Sequence, residues 1–278
     1  KLHIGNIKAL IMNWIFAKKN NGKLLLRIDD TQLNENTENN IQSIFEIFEW
    51  FQITPEKIFR QSERNEIYNK YFKLLKEKGY IYPCYETKEE LEKNKSRIYK
   101  KNNKNVYTNQ NPVYYRFELQ NTFITNKDLI QGKITVKTQN INDPIVYTTK
   151  NNKFTYLFCS SIDDIDENIT HIIRGSDHIS NTLIQKQIME SILLSSEKNI
   201  NTSSIEIKKT IPHFAHYGLF LSPENQEKLS KRKGSAFTEN LKNNILPLAL
   251  IKYLSNSGVS KNINTVSYTH LRAHETAS

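Results

Sequence analysis

Two short segments at opposite ends of the sequence carry residue types suited to binding phosphate. Near the C-terminal end, Lys228-Leu229-Ser230-Lys231-Arg232 places two ammonium groups three residues apart on either side of a hydroxyl. The polar stretch before it lacks apolar periodicity, which is typical of a mobile loop. At the other end, His3-Ile4-Gly5-Asn6 enters a helical pattern, and the unpaired N–H groups of a helix start favour bound anions. We therefore expect both segments to close on one triphosphate.

The elements that would position these segments begin with a helix and a strand. Apolar residues at helical spacing predict a helix from Ile7 to Asn20, and residues 23–28 are predicted to form a strand buried on both faces. Further helices are predicted over residues 38–51 and 65–78, the second ending at Gly79. This alternation predicts an α/β fold with a Rossmann-type, doubly wound parallel sheet.

Asp29 directly follows the first predicted strand and is a candidate site residue. Ligands of open α/β sheets bind beyond the carboxyl ends of the strands, where this carboxylate would lie. An Asx turn or a helix cap is an equally good local interpretation.

The middle of the chain departs from this alternation. Lysines and asparagines dominate residues 86–112, which could be a solvated linker. Strands are then predicted over residues 113–119 and 133–138, followed by a hairpin that pairs 146–148 with 154–156. An inserted, mostly antiparallel α+β subdomain fits this pattern.

Parallel-sheet patterns return after the insertion. A strand is predicted over residues 169–173, directly before Arg174, and a helix is predicted to begin near Ser180. Another strand, 213–221, leads to the Lys228 segment, and a helix based on leucines 246, 248, 250 and 254 follows Gly234.

Composition narrows the classes of function. The formal charge of +10 suits a polyanionic partner such as nucleic acid, although a general drift toward lysine would also produce it. No apolar run is long enough for a membrane span, and no signal-peptide pattern is present. Two cysteines suit a reducing compartment, so we expect a cytoplasmic protein that does not bind membranes.

A metal centre and the common nucleotide motifs are disfavoured. His171 and His178 lie near several aspartates in sequence, but no HExxH or paired CxxC spacing occurs, so we expect no structural zinc. Walker and GxGxxG motifs are also missing. A phosphate site must therefore use the His3 and Lys228 segments.

An ordered set of motifs resembles the bacterial glutamyl-tRNA synthetases. Leu2 to Asn6 is similar to the HIGH signature of class I aminoacyl-tRNA synthetases, and Lys228 to Arg232 is similar to their KMSKS loop. The blocks between them that resemble the same family, in order, are 26–31, 60–64, 155–156 and 169–182. The resemblance covers residues 1 to about 260.

The resemblance implies ATP-dependent activation of L-glutamate to an adenylate, followed by transfer to the 3′ end of tRNA. It implies ATP with Mg²⁺ as the cofactor set. The implied ATP-binding residues are His3, Gly5, Asn6, Leu229, Ser230 and Lys231, of which His3 and Lys231, together with Lys228, would be catalytic. The implied glutamate-binding residues are Asp29 for the ammonium group, Arg174 for the side-chain carboxylate, and Tyr156 and Ser160 in the same pocket. A salt bridge to Asp177 is the competing interpretation of Arg174.

The sequence also departs from the family pattern. Asp29 and Asp177 stand where the family often has Glu, and Ser160 stands where some members carry Asn. The chain starts at Lys1, already within a motif, so we expect a missing N-terminal strand that carries part of the glutamate site. The anticodon-binding domain is likewise expected to be missing.

The expected organisation follows from the resemblance. Residues 1–85 would form the first half of the catalytic domain, 86–143 the acceptor-end-binding insertion, and 144–235 the second half with the KMSKS-like loop. Residues 236–266 would begin a helical region that contacts the tRNA stem, and 267–278 are expected to be a non-native tail. We expect a monomer.

Three alternatives stay open. One is an enzyme that glutamylates queuosine in tRNA, and a second is a glutaminyl enzyme, which Arg174 disfavours because it suits a carboxylate better than an amide. The third is a non-catalytic tRNA-binding paralogue. Whether tRNA for glutamine is also an acceptor is left open by the sequence.

Overall fold

The computed structural model describes residues 4–31, 37–86, 90, 93, 100–101, 111–120, 122–196, 209–219 and 241–257. Its helices are α1 (Ile4–Lys19), α2 (Thr37–Trp50), α3 (Asn65–Glu77), α4 (Tyr156–Asp166), α5 (Ile179–Ser196) and α6 (Pro247–Asn256). Its strands are β1 (Leu25–Ile28), β2 (Lys57–Arg60), β3 (Ile81–Cys84), β4 (Tyr114–Phe117), β5 (Phe123–Asp128), β6 (Gly132–Lys137), β7 (Ile145–Thr148), β8 (Lys153–Phe154), β9 (His171–Gly175) and β10 (His213–Tyr217).

Two parallel strand pairs carry the α/β part of the fold. β1 pairs with β2, and β9 pairs with β10 with Ile173 opposite Ala215. Helix α1 lies against the second pair, because the Asn13 side-chain amide donates to the Ile173 carbonyl at 2.7 Å. Parallel strands joined through helices are the arrangement that the sequence pattern predicted.

Several local expectations need correction. β1 is not buried on both faces: of its four residues only Ile28 is fully buried, so the strand lies at a partly exposed position. β2, β3 and β5 were not predicted, because each is short and mixes charged or proline residues with apolar ones. Among the predicted leucines of α6, Leu246 and Leu248 are exposed, and the buried face is formed by Leu250, Ile251 and Leu254.

Antiparallel strands form the middle of the molecule. β3, β4, β7 and β8 make one sheet in that order, which combines strands on both sides of the predicted insertion. β5 and β6 make a separate hairpin, whose tip packs on β10 through a hydrogen bond from Leu129 N to the Phe214 carbonyl at 2.8 Å. The inserted hairpin therefore touches the parallel part of the fold directly.

Helix α4 corrects the position predicted for Tyr156. The predicted hairpin strand 154–156 ends at Phe154, and Tyr156 is the first residue of α4. The reason is packing: Phe158 and Ile162 recur at helical spacing on the face that enters the main apolar core, with no exposed surface. Tertiary burial overrides the strand preference of the aromatic and threonine residues here.

A buried ion cluster joins α4 to the β1–β2 region. Asp163 is fully buried, and its carboxylate accepts from Arg64 Nε and Gln61 Nε2, each at 2.8 Å, and from the Tyr68 hydroxyl at 3.0 Å. Arg27 Nε lies 3.8 Å away. Burial raises the pKa of Asp163, and the two guanidinium groups oppose that shift.

The described helices include none that is long and apolar enough to span a membrane.

From the ion cluster we expect substitutions of two aspartates in α4 to lower the free energy of unfolding by different amounts. Asp163→Asn should lower the free energy of unfolding by about 3–5 kcal/mol, because it removes a fully buried charge that Arg64, Gln61 and Tyr68 share as their acceptor. Asp166→Asn is the matched control: Asp166 also pairs with Arg64, at 2.7 Å, but its side chain is 27% exposed. Its substitution should cost less than about 1 kcal/mol.

Chemical denaturation of both variants, followed by circular dichroism, gives the two values. Equal losses would show that the buried position of Asp163 is not what makes its pairing important.

Candidate active site

The structure places only part of the predicted phosphate site. His3, Lys228, Leu229, Ser230 and Lys231 lie outside the described residues. Gly5 and Asn6 lie in the first turn of α1, where backbone N–H groups have no carbonyl acceptor within the helix.

Strand β10 runs beside this helix start. The Tyr217 hydroxyl at its end lies 3.4 Å from the Gly5 carbonyl. In the sequence, Tyr217 precedes Lys228 by eleven residues.

Two predicted glutamate-site residues lie at carboxyl ends of parallel strands. Asp29 directly follows β1, and Arg174 is the penultimate residue of β9. Tyr156 opens α4, and its phenol is electrostatically coupled to Arg174 and Asp29. Asp29, Tyr156 and Arg174 therefore share one neighbourhood, at the edge of the strands where α/β proteins bind ligands.

Arg27 is already neutralised by carboxylates. Its Nε donates to Asp29 at 2.8 Å and its Nη1 donates to Asp164 at 2.7 Å. Burial lowers the pKa of Arg27, but the carboxylates of Asp164, Asp29 and Asp163 raise it more, so the net shift is upward. This guanidinium is held permanently charged and occupied.

Arg174 has a different environment. Its Nη2 donates to the Thr182 hydroxyl at 2.6 Å and to the Gln185 amide oxygen at 2.5 Å, and both are neutral acceptors. Within the described chain it forms no ion pair with a carboxylate, so the alternative of a salt bridge to Asp177 is wrong. Burial lowers the pKa of Arg174, with the Tyr156 phenol and Asp164 opposing the shift.

Arg174 is partly buried, and the hydrogen bonds from its Nη2 end on neutral groups, which favours an incoming anion. Neutral hydrogen-bond acceptors orient the guanidinium but do not cancel its charge, and the low local dielectric strengthens its attraction for a carboxylate. The planar fork of donors suits two carboxylate oxygens at once. Arg174 can therefore hold a carboxylate, whereas Arg27 is already engaged.

Tyr156 adds a second polar group to this neighbourhood. Burial raises the pKa of Tyr156, and the positive charges of Arg174 and Arg27 oppose that shift. The phenol stays protonated at neutral pH and can donate a hydrogen bond to a bound anion.

Ser160 supports the site from behind. Its hydroxyl donates to the Tyr156 carbonyl one helical turn earlier, at 2.6 Å, and accepts from Gln185 Nε2 at 2.6 Å. Because the other end of the Gln185 amide accepts from Arg174, Ser160 is linked to the guanidinium through one side chain. Ser160 itself is fully buried.

Several residues of the neighbourhood were not singled out from the sequence. They are Arg27, Thr182, Gln185 and His216, while Asp164 was among the aspartates weighed as metal ligands. A signal existed for two of them: Arg27 interrupts the apolar run of β1, and His216 stands between buried Ala215 and Tyr217. Thr182 and Gln185 lie in a helix whose apolar spacing gave no reason to select its polar positions.

The histidines and acids weighed as metal ligands have other neighbours. The rings of His171 and His213 lie 5.2 Å apart and that of Phe16 lies 4.7 Å from His171, while Asp163 and Asp164 bind arginines. Burial lowers the pKa of His171, as does the nearby His213. In the described part of the chain, no group of three or more His, Cys, Asp or Glu side chains is placed to hold a metal ion.

Comparison with known sequences gives one family over nearly the whole chain. Residues 1–271 match the family described as tRNA synthetases class I (E and Q), catalytic domain. A glutamate–tRNA ligase 1 of Ehrlichia chaffeensis is 36% identical over 95% of this chain and 59% of its own length. A glutamate–tRNA ligase 1 of Rickettsia typhi is 39% identical over 88% of this chain and 54% of its own length.

Solved structures agree with the sequence comparison. A glutamate tRNA ligase from Elizabethkingia meningosepticum, crystallised in complex with its amino acid, superposes with a TM-score of 0.68 at 27% identity, over 85% of this chain and 50% of that one. The chain thus spans little more than half the length of the curated relatives that it matches. The predicted Rossmann-type α/β class is confirmed by this likeness together with the parallel pairs, and the chain belongs to the class I tRNA synthetases of the E and Q group, as part of their catalytic domain.

Proposed function

We propose that this chain is the catalytic part of a glutamyl-tRNA synthetase. In this reaction an oxygen of the glutamate α-carboxylate attacks the α-phosphorus of ATP, which forms glutamyl-adenylate and releases pyrophosphate. A hydroxyl at the 3′ end of tRNA then attacks the carbonyl carbon, which forms the ester and releases AMP. The relatives named glutamate–tRNA ligase support this choice of substrate.

One observation carries the choice of glutamate: the partly buried guanidinium of Arg174 donates its Nη2 hydrogen bonds to neutral acceptors. An anionic side chain would supply the counterion that Thr182 and Gln185 do not. A glutamine side chain would bring a neutral amide and leave this partly buried charge without a counterion from the substrate, which costs free energy. We assign Arg174 to the side-chain carboxylate, with the Tyr156 phenol beside it and Ser160 holding Gln185 in place.

Asp29 is assigned to the substrate ammonium group. Its side chain is 40% exposed while it is paired with Arg27, so one face of the carboxylate is accessible to a ligand. Arg27, whose Nε donates to this carboxylate at 2.8 Å, would hold it in a fixed orientation. The substrate would thus lie between a carboxylate after β1 and a guanidinium at the end of β9.

The nucleotide is assigned to the helix start and the basic segment. Gly5 and Asn6 open α1, where N–H groups favour phosphate oxygens, and His3 directly precedes them. Lys228 and Lys231 would neutralise charge that develops on the departing pyrophosphate, with Leu229 and Ser230 between them. Mg²⁺ would accompany ATP on its phosphate oxygens, which are hard ligands.

The remaining assignments concern partners and organisation. We propose tRNA that accepts glutamate as the polyanionic partner, with residues 86–143 as the part that binds its acceptor end. The excess of lysine and arginine supports contact with a phosphate backbone. We further propose a monomer.

The direct test is glutamate-dependent exchange between ATP and pyrophosphate, measured with and without tRNA, in protein carrying the complete reading frame. Exchange with L-glutamate and none with L-glutamine supports the proposal. Binding of tRNA without exchange under any condition would instead indicate a non-catalytic tRNA-binding protein.

Arg174→Ala should raise the KM for glutamate by about 100-fold, because two charge-assisted hydrogen bonds to the substrate are lost. The KM for ATP should change less than about threefold, since Arg174 does not contact the nucleotide in this assignment. Arg174→Lys is the matched control, which keeps the charge without the fork and should give an intermediate value.

Steady-state exchange kinetics with each substrate varied separately give these constants. An unchanged glutamate requirement in Arg174→Ala would contradict the pocket assignment.

Lys231→Ala should slow adenylate formation by about 10²–10³-fold, since it removes a cation aimed at charge that develops in the transition state. Its affinity for tRNA should stay nearly that of the unaltered protein. Lys233→Ala removes the same charge two residues away and serves as the control, with an expected effect of less than about threefold.

Single-turnover adenylate formation and tRNA binding on filters separate the two effects. Equal losses of both in Lys231→Ala would remove its catalytic assignment.

A further inference from the structure

His216 is a fully buried histidine for which the proposed chemistry has no direct use. It lies in β10, opposite Arg174 in the register of the parallel pair. Its Nδ1 lies 2.5 Å from Asp128 Oδ2, and its Nε2 lies 2.8 Å from the Thr182 hydroxyl. Both ring nitrogens therefore have a buried partner.

Asp128 fixes which nitrogen of His216 carries the proton. Its Oδ1 accepts from three backbone N–H groups, those of Ile130, Gln131 and His216, at 2.9–3.1 Å. Burial raises the pKa of Asp128, but these bonds and the bond from His216 lower it more, so the carboxylate is ionised at neutral pH. An ionised carboxylate only accepts, so His216 Nδ1 must be the donor.

The second nitrogen then acts as an acceptor. Burial lowers the pKa of His216, with Asp128 opposing the shift, so the ring is neutral near pH 7. Neutral Nε2 accepts from the Thr182 hydroxyl, whose oxygen is left to accept from Arg174 Nη2 at 2.6 Å. The Thr182 hydroxyl also lies 3.2 Å from the His178 carbonyl, but its 2.8 Å contact with Nε2 is the shorter of the two. The donors from Asp128 to Arg174 are assigned on that basis.

Asp128, the first residue in this set of hydrogen bonds, belongs to the β5–β6 hairpin. Asp128 is the last residue of β5, and the turn after it is fastened to β10 by Leu129 N, which donates to the Phe214 carbonyl, and by Gln131 Nε2, which donates to the His216 carbonyl at 2.8 Å. The hairpin tip is therefore part of the wall behind Arg174.

We propose that Asp128 and His216 are positioning residues that orient the Arg174 guanidinium, so that recognition of the substrate carboxylate depends on docking of the β5–β6 hairpin. His216 acts mainly through the Thr182 hydroxyl, and its Nε2 also lies 3.5 Å from Arg174 Nε. This inference rests on the proposed role of Arg174 in glutamate binding. The two groups of this set that contact Arg174, Thr182 and His216, are neutral, so they fix the direction of the fork without neutralising the charge that the substrate needs.

The first test compares two substitutions of Thr182. Thr182→Val keeps the shape but removes the hydroxyl, and it should raise the KM for glutamate about tenfold with kcat and the KM for ATP within about twofold. Thr182→Ser retains the hydroxyl and should restore most of the lost affinity. A glutamate KM equal to that of the unaltered protein in folded Thr182→Val would overturn the proposal.

The second test asks whether His216 acts through Thr182. His216→Asn can still donate to Asp128 but does not reach Thr182, so it should also raise the glutamate KM about tenfold. Combined with Thr182→Val it should give clearly less than the sum of the two single losses, because both changes remove the His216–Thr182 hydrogen bond and only the 3.5 Å contact with Arg174 Nε is lost in addition. Additive losses, or equal losses for ATP and glutamate, would count against a positioning role.

The conservative change Asp128→Asn replaces His216→Asn if the latter does not fold by circular dichroism. It removes the charge that anchors the ring, and a several-fold rise in the glutamate KM is expected. Arg174→Ala is measured in parallel. If it leaves the glutamate KM unchanged, the proposed function of Arg174 fails; if only the Thr182, His216 and Asp128 variants leave it unchanged, the positioning role alone fails.

Discussion

The fold depends on how buried and half-buried charges are matched between α4 and the β1–β2 region. Asp163 forms an ion pair with Arg64, and Asp164 forms one with Arg27. A single helix therefore neutralises guanidinium groups from two different parts of the fold. Buried charges are tolerated only when paired and hydrogen-bonded, which restricts how α4 can sit on the rest. The position of α4 in turn sets Tyr156 at its first turn and Ser160 one turn later.

The same requirement explains why two arginines in one neighbourhood differ. Arg27 is surrounded by carboxylates, and its charge serves the architecture. Arg174 is surrounded by a hydroxyl, an amide and a neutral ring, and its charge is left for a ligand. Because a guanidinium cannot give up its proton in a protein, its positive charge remains and attracts an anion. The contrast is what makes a carboxylate the natural ligand of this pocket.

The sequence predicted the helices and site residues that depend on local patterns. α1, α2, α3 and α5 follow helical spacing, and the helix before Gly79 ends there at φ +78°, as a C-terminal glycine does. Asp29 and Arg174 were identified because ordered motifs place them after strands. Tyr156 was assigned to a strand although it begins a helix, since the burial of Phe158 and Ile162 in that helix depends on contacts with distant residues.

Hydrogen bonds between side chains that are distant in the sequence could not be predicted from the sequence alone. Nothing in the sequence around residue 128 or residue 216 shows that the two side chains meet 88 positions apart, and Gln185 has the pattern of an ordinary helix residue. Such bonds depend on the docking of a hairpin and on helix rotation, which apolar periodicity does not determine. The supporting residues of the pocket are therefore visible only in three dimensions.

The central claim concerns which guanidinium takes the substrate side chain, and a crystal structure with bound L-glutamate tests it most directly. We expect the side-chain carboxylate within hydrogen-bond distance of Arg174, with Arg27 still paired to Asp164. A carboxylate bound to Arg27, with Arg174 unengaged, would contradict the account.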